Sequence, residues 1–265
     1  MVMSGGSRGI GLAIALRAAE DGASVTLIAK TAEPHPRLEG TIYTAAEDIE
    51  KAGGKALPVV GDVRDEEVVQ SAVDQTVAAF GGVDICLNNA SAIDLSDVES
   101  LPMKRYDLMQ DINTRGTYVL SRACIPHLRK AENPHILTLS PPLNLNPRWF
   151  APNLAYTIAK YGMSLCTLGL AEQYRAEGIA ANSLWPRTTI ATAAIKNLLG
   201  GDAAMRRARD PKIMADAAHA ILTRPSRECS GNFFIDDEVL AAEGITDLSV
   251  YGGAEGELQQ DAFLD

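Results

Sequence analysis

A Rossmann-type α/β fold, in which a doubly wound parallel sheet carries helices on both faces of a single domain over 1–265, is what this sequence predicts. Three observations predict it. Short apolar runs of strand length alternate with amphipathic helical stretches along the chain, the pattern of repeated strand–helix–strand units. The first run enters a glycine-rich turn, Ser4-Gly-Gly-Ser-Arg-Gly-Ile-Gly11, that opens a helix. No internal repeat, low-complexity linker or compositional break divides the 265 residues.

Met1-Val-Met3 is the stub of a first strand, shorter than the usual length of about five or six residues, so either the natural chain begins upstream of Met1 or the first strand is clipped here. After the turn, Leu12 to Ala19 is helical, Gly22-Ala23 stops it, and Ser24 to Ala29 is a buried strand. Tyr43 to Gly54 is a helix with its stop signal, followed by the strand Lys55 to Val60. Val68 to Phe80 is an amphipathic helix ended by Gly81-Gly82, and Asp84 to Ala90 is a strand with two asparagines at its end. A helix from about Tyr106 is closed by Pro126, His127 and Pro134, and His135 to Leu139 is the next buried strand. A long helix, Tyr156 to Arg175, leads to the strand Ile179 to Trp185. Residues 193–212, small and charge-rich around Gly200-Gly201, read either as a covering segment over a site or as a plain pair of surface helices. A helix from Asp216 to Thr223 and a strand from Gly231 to Asp236 complete the alternation.

Composition narrows the function. A net charge of -10 and a pI near 4.9 offer no field for nucleic acid or an anionic membrane. The four cysteines, Cys86, Cys124, Cys166 and Cys229, have no metal-binding or redox spacing, so no metal is expected. Neither a spanning apolar run nor a leader is evident, and Ala262-Phe-Leu-Asp265 is not a peroxisomal signal, so membrane insertion is not expected and the cytoplasm is the default location.

The candidate site residues converge on the C-terminal ends of the strands, where such a sheet binds ligands. Ser4, Gly5, Ser7, Arg8, Gly9, Ile10 and Gly11 form a turn whose glycines let the backbone meet a pyrophosphate at the helix N-terminus. Lys30 follows the second strand where an acid would take the ribose of NAD and a cation the extra phosphate of NADP. With Arg8 beside it, NADP(H) is favoured; NAD(H) is the alternative, and Glu33, in the Pro34-His-Pro36 loop, is the rival acid. Asp62, with Val63, ends the third strand, where it can bond an adenine amino group or cap the next helix, a task Asp65 could also perform. Asn88 reads as structural as readily as ligand-binding. Asn113 lies inside a helix that it weakens, so it marks a kink tied to a water or a packing adjustment. Tyr156 and Lys160, four apart, place a phenol and an ammonium on one helical face.

These residues resemble the short-chain dehydrogenase/reductase family over essentially the whole chain: the glycine turn matches its Thr-Gly-x-x-x-Gly-x-Gly, Asn88-Asn89-Ala90 its Asn-Asn-Ala-Gly, and Tyr156-x-x-x-Lys160 its active-site pair. The resemblance implies an oxidoreductase that interconverts an alcohol and a carbonyl on a small apolar substrate. Tyr156 would exchange a proton with the substrate oxygen, Lys160 would favour the phenolate and hold the nicotinamide ribose, and Asn113 would anchor a relaying water. Asn89, Ala90, Pro186, Ile190 and Thr192 would line the cofactor, with Ile190 meeting the carboxamide and Thr192 near the pyrophosphate. A homodimer or homotetramer is implied as well. Three departures stand out. Ser91 replaces a glycine. Pro186-Arg187 replaces Pro-Gly and sets a cation where it could meet an acidic substrate or point to solvent. The family's serine position falls on Pro141, so Ser140 stands one residue early and reaches a substrate only if the two prolines twist the chain. Asn144 and Asn146 are candidate substitutes. A nucleotide-binding regulatory or scaffold protein with weak or lost catalysis is the alternative reading.

Overall fold

In the computed structural model, which describes residues 1–34, 40–198, 201–253 and 257–265, seven parallel strands form one sheet. They are β1 (Val2–Ser4), β2 (Ser24–Ala29), β3 (Lys55–Val60), β4 (Ile85–Asn88), β5 (His135–Thr138), β6 (Ala180–Trp185) and β7 (Phe233–Ile235), in the spatial order β3-β2-β1-β4-β5-β6-β7. The chain winds outward from β1 through β3, then returns to β4 on the other side of β1. That reversal opens a crevice beyond the ends of β1 and β4, the usual ligand position of such sheets. Although short, β1 sits at the centre: Val2 pairs with Thr26 on one side and Cys86 on the other, and Val2 and Met3 are fully buried.

One helical layer consists of α1 (Gly9–Glu20), α2 (Ile42–Lys51), α9 (Lys212–Leu222) and α10 (Asp236–Ala242), packed through Ile14, Ile42, Ile49, Ile213 and Ile221. On the other face lie α3 (Glu66–Phe80), α5 (Gly116–Leu128) and α6 (Leu154–Gln173), with Val69, Val73, Leu120, Cys124 and Leu170 against the sheet. These residues recur at helical spacing, as burial of one face requires. Local chemistry fixes the ends. Thr41 and Thr44 form a reciprocal capping box on α2, Asp65 accepts from the amides of Glu67 and Val68 at the start of α3, and Gly81 ends α3 at φ 87°.

Three features differ from the sequence expectation, and a fourth, the segment after β6, matches one of its two readings. The helix expected from Tyr106 begins as α4 (Met103–Met109), passes through a π-helical turn at Gln110–Arg115, and continues as α5. Pro126 lies inside α5, whose last turn runs to Leu128, rather than closing it. The segment after β6 forms two short helices, α7 (Ala193–Leu198) and α8 (Gly201–Arg206), while Gly200 of the expected glycine pair lies outside the described residues, as do His35 and Pro36. Finally, α10 and the packed segment Gln259 to Asp265 add structure where none was expected. No described helix is long and apolar enough to cross a membrane.

Candidate active site

The glycine turn is a cradle because side chains have no room in it. Gly5 and Gly9 hold φ of 75° and 58°. A Cβ on Gly5 would stand 2.9 Å from the Cα of Ala90, and one on Gly11 would stand 2.5 Å from Asn89 Nδ2 and 2.6 Å from the Gly5 carbonyl. Asn89 occupies that space, donating to Gly5 O at 2.6 Å and Ser4 O at 3.2 Å. Ser4 Oγ in turn accepts from the amides of Asn89 and Ala90. Tied together in this way, the ends of β1 and β4 leave the first turn of α1 with no side-chain cap. Uncapped amides at a helix N-terminus, beside glycines that admit close approach, suit a pyrophosphate. Ser7 is buried in the turn, Arg8 donates to the Gly40 carbonyl at 2.9 Å, and the methyl of Thr192 lies against Gly9.

At the end of β2 the Lys30 ammonium pairs with Asp62 at 2.9 Å and stays mostly exposed. Asp62 is also forked by Arg64, and the hydrogen bonds from Arg64, then those of Lys30, hold its carboxyl far below the usual range. Val63 packs beneath, in contact range of Gly116, while Glu33 is exposed.

Tyr156 and Lys160 stand on successive turns of α6 in the wall of a cavity of about 490 Å³. Its lining includes Ile10, Asn89, Leu139, Pro186, Thr189, Ile190 and Thr192, and through Ile10 and Asn89 it is continuous with the glycine cradle. Ile93, Leu95, Trp149, Asn153, Trp185 and Gln259 to Ala262 line it as well. Lys160 Nζ donates to the Leu139 carbonyl at 2.8 Å and lies 5.0 Å above the Trp185 ring. Burial lowers the Lys160 ammonium to about 8 and pushes the Tyr156 phenol well above its ordinary value, and Asp261 raises both. A larger cavity, about 940 Å³, runs over the outer face of α1; it includes Arg8 and Gly9, has Thr192 in common with the smaller one, and contains neither Tyr156 nor Lys160. The buried titratable pair, Tyr156 and Lys160, therefore marks the smaller one as the candidate site.

Several sequence expectations need correction. Ser140 does not reach the cavity: it is fully buried, and its Oγ shares a hydrogen bond of 2.8 Å with Ser183 Oγ, which donates to Thr167. Its neighbour Leu139 faces the cavity instead, so the alternation of side chains past the strand end turns Ser140 toward β6 and α6. Asn144 and Asn146 do not replace it. Asn144 Nδ2 donates to the Phe263 carbonyl and its Oδ1 caps Asn146, whose own Oδ1 caps Arg148. Asn113 is fully buried, and its amide spans Ala92, accepting from its N–H at 2.7 Å and donating to its carbonyl at 3.1 Å. The π-helical turn thus places the Asn113 side chain to fix the loop after β4, which carries Ser91 and Ile93 to the cavity, the packing adjustment that is one of its two readings. Arg187 does not simply point to solvent; with its side chain 34% exposed, it forms ion pairs with Asp237 and Glu238 at the start of α10.

The residues missed in the sequence are Trp149, Asn153, Trp185, Thr189 and Asp261. Asn153 had a signal, since it precedes the helix of Tyr156 in the N-cap position, yet it makes no side-chain cap bond there. Its Nδ2 has no hydrogen-bond partner among the described residues; its Oδ1 accepts from Thr157 at 3.4 Å. Asp261 had none, because nothing local predicts that the chain returns to the site after α10.

Behind this wall, Asp236 is fully buried, its Oδ1 accepting from the amides of Arg187 and Asp237 and its Oδ2 without a partner. Burial raises its carboxyl to about 6. The folded state therefore holds this proton more tightly than the unfolded chain. Stability from this group is fully present below the unfolded pKa of about 4 and is lost as pH rises through about 6. Asp236→Asn, which keeps the Oδ1 acceptor, is expected to remove this loss, on the order of 2 kcal/mol between pH 4 and 8. Urea midpoints of both proteins across that range check it: parallel curves would refute the assignment.

Comparison with known proteins places these features in a family context. The short chain dehydrogenase family matches residues 1–199. Hydroxysteroid dehydrogenase-like protein 2 of Xenopus tropicalis is 58% identical over 266 residues, covering 100% of this chain and 63% of that protein. The chain thus spans less than two thirds of the length of that curated relative. A crystal structure of a short chain dehydrogenase from Mycobacterium thermoresistibile is 59% identical with a TM-score of 0.95, covering 100% of this chain and 94% of the other. A metagenomic short-chain oxidoreductase crystallised in complex with NADP is 25% identical with a TM-score of 0.72, over 88% of this chain and 94% of that one.

Proposed function

We propose that this chain, which belongs to the short-chain dehydrogenase family, is an NADP-preferring oxidoreductase that interconverts an alcohol and a carbonyl on an apolar substrate. The observation that carries the reading is the buried Tyr156 and Lys160 pair in a cavity continuous with the glycine cradle. The cradle fits a dinucleotide: Cβ atoms on Gly5 or Gly11 would fill it, and Oγ1 of Thr189, in the cavity lining, is buried without a partner and suits a carboxamide. Bound there along Ser4 to Gly11, Asn89, Ala90, Pro186, Ile190 and Thr192, NADP(H) or NAD(H) would supply or take the hydride.

The chain's own residues handle the proton. A phenol held neutral by burial is the form that donates, so Tyr156 acts as general acid to the carbonyl oxygen in the reductive direction. Lys160, fixed by the Leu139 carbonyl, stabilises the phenolate left behind. In the reverse direction the same phenolate accepts the alcohol proton. Asn153, in the same wall, supplies the hydrogen bond to the substrate oxygen that Ser140 does not. Apolar Ile93, Leu95, Trp149 and Trp185 exclude water and favour an apolar substrate body.

Lys30 favours NADPH through its exposed ammonium. NADPH is expected to bind about tenfold more tightly than NADH, and Lys30→Ser to remove the difference, as suits a single charge-assisted contact. Fluorescence titration with both cofactors, followed by their oxidation over a panel of aldehydes and ketones, tests the reading. Tight binding with no turnover of any carbonyl would favour a nucleotide-binding regulatory role. On the outer face of α6, Leu154, Ile158, Leu165 and Leu168 are exposed, with Tyr118 of α5 also exposed. That helically spaced apolar stripe supports a homodimer or homotetramer, which a monomer in sedimentation would dismiss.

A further inference from the structure

The segment Gln259 to Ala262 brings one carboxylate, that of Asp261, into the lining of the cavity, which also includes Ile93, Leu95, Trp149 and Trp185. The backbone of this segment is fixed at each step. Thr189 N–H donates to Gln259 O at 2.9 Å, Asp261 N–H to Arg187 O at 3.0 Å, and Trp185 Nε1 to Ala262 O at 2.9 Å. Phe263 locks it from behind, 1% exposed, with ring centres of Trp149, Tyr156, Tyr161 and Trp185 within 6.3 Å. It holds φ at 72°, the one positive value at a non-glycine among the described residues. Such backbone strain persists where surrounding packing enforces it, which is common beside functional sites.

The carboxylate so placed is poorly compensated. Its Oδ1 accepts from the Ala262 amide at 2.7 Å, and no described cation lies within ion-pair distance of it. Three titratable groups act on it or feel it: Lys160 and Tyr156 from α6, and Asp236 from the start of α10. Arg187, whose carbonyl holds the Asp261 amide, turns its own guanidinium to Asp237 and Glu238 instead. A neutral serine or asparagine could cap the Ala262 amide without placing a charge in an apolar wall, so the local turn does not account for an aspartate.

We propose that Asp261 is a substrate-positioning residue, whose carboxylate receives a hydroxyl carried by the substrate near the reacting carbon. The site then takes hydroxylated carbonyl compounds, or diols in the reverse direction, in preference to plain ketones, and repels substrates with a carboxylate at that position. This rests on the hydride-transfer reading above and narrows its substrate class.

The chain has two tryptophans, Trp149 and Trp185, and both line this cavity, so intrinsic fluorescence reports its occupancy without turnover. Protein saturated with oxidised cofactor is titrated with decan-2-one and with decan-2-ones hydroxylated at C1, C3, C4 or C5. At least one hydroxylated probe is expected to bind about 10-fold to 100-fold more tightly than the parent, the range of a hydrogen bond to a charged group. Asp261→Ala abolishes that advantage, so that the hydroxylated probes bind it no more tightly than the parent ketone does. Asp261→Asn, nearly isosteric, keeps the segment in place and retains part of the advantage. In the wild type the advantage shrinks as pH falls below about 6, where burial places the titration of this carboxyl, whereas binding of the parent stays flat. Equal binding of all probes, an advantage that survives in Asp261→Ala, or no fluorescence response at all overturns the proposal. Probes that bind with hydroxyl selectivity but are never reduced when NADPH replaces the oxidised cofactor strike the hydride-transfer reading alone.

Discussion

Replacement of Tyr156 by Phe is expected to lower kcat by about 10²-fold to 10⁴-fold, the contribution of a positioned general acid. The fold should be unaffected. The Tyr156 hydroxyl makes no hydrogen bond to any described residue, while its ring packs with Ala155, Ala159, Trp185 and Phe263 in the apolar cluster below the site. Phenylalanine keeps the ring and its contacts, so no protein hydrogen bond is lost and Tm stays within about a degree of the wild type. Cofactor affinity should hold as well, because the substitution leaves the glycine turn and its bonds to Asn89 untouched. The three measurements together make the result decisive: a large loss in kcat with unchanged Tm and cofactor Kd identifies the lost hydroxyl as chemical. Turnover that survives the substitution would remove Tyr156 from the mechanism, and a fall in Tm would mean that the hydroxyl serves the fold.

What could be read from the sequence follows the range of the interactions involved. The parallel sheet was legible because each strand is a short apolar run beside an amphipathic helix, and that pattern needs no knowledge of neighbours. Tyr156 and Lys160 were legible because helical spacing alone sets them on one face. Ser140 was half legible: the one-residue shift correctly raises the question of facing, but only the partners Ser183 and Thr167 show where the hydroxyl goes. The hydrogen bonds of Asn113 to Ala92 span 21 positions in the chain and those of Arg187 to Asp237 span 50, so neither could follow from local pattern. Asp261 is the extreme case. It reaches the site through a segment held by backbone bonds to the loop after β6, and its role depends on a return of the chain that no periodicity encodes.

The tightest constraint in the cofactor cradle yields the other large effect. Gly11 has an ordinary helical backbone, so alanine there gains helix propensity of about 1 kcal/mol. Space opposes it more strongly. The new methyl would stand 2.5 Å from Asn89 Nδ2 and 2.6 Å from the Gly5 carbonyl, and the second of these is backbone that cannot rotate away. Asn89 must therefore withdraw, and with it go its bonds to Gly5 O and Ser4 O, each worth about 1 kcal/mol. Overpacking adds a cost of about 1–3 kcal/mol, so Gly11→Ala is expected to be net destabilising by about 2–4 kcal/mol. Cofactor affinity should fall by more than about tenfold, because the clash spreads the amides that face the pyrophosphate. Gly22→Ala is the matched control. At φ 80° it carries torsional strain but meets nothing within 4 Å, and it lies at the far end of α1. It should cost about 1 kcal/mol of stability and leave cofactor affinity unchanged. If both variants lose stability but only Gly11→Ala loses the cofactor, the glycine turn is a binding cradle. If Gly11→Ala binds NADPH as the wild type does, the close approach of α1 to β4 serves packing alone.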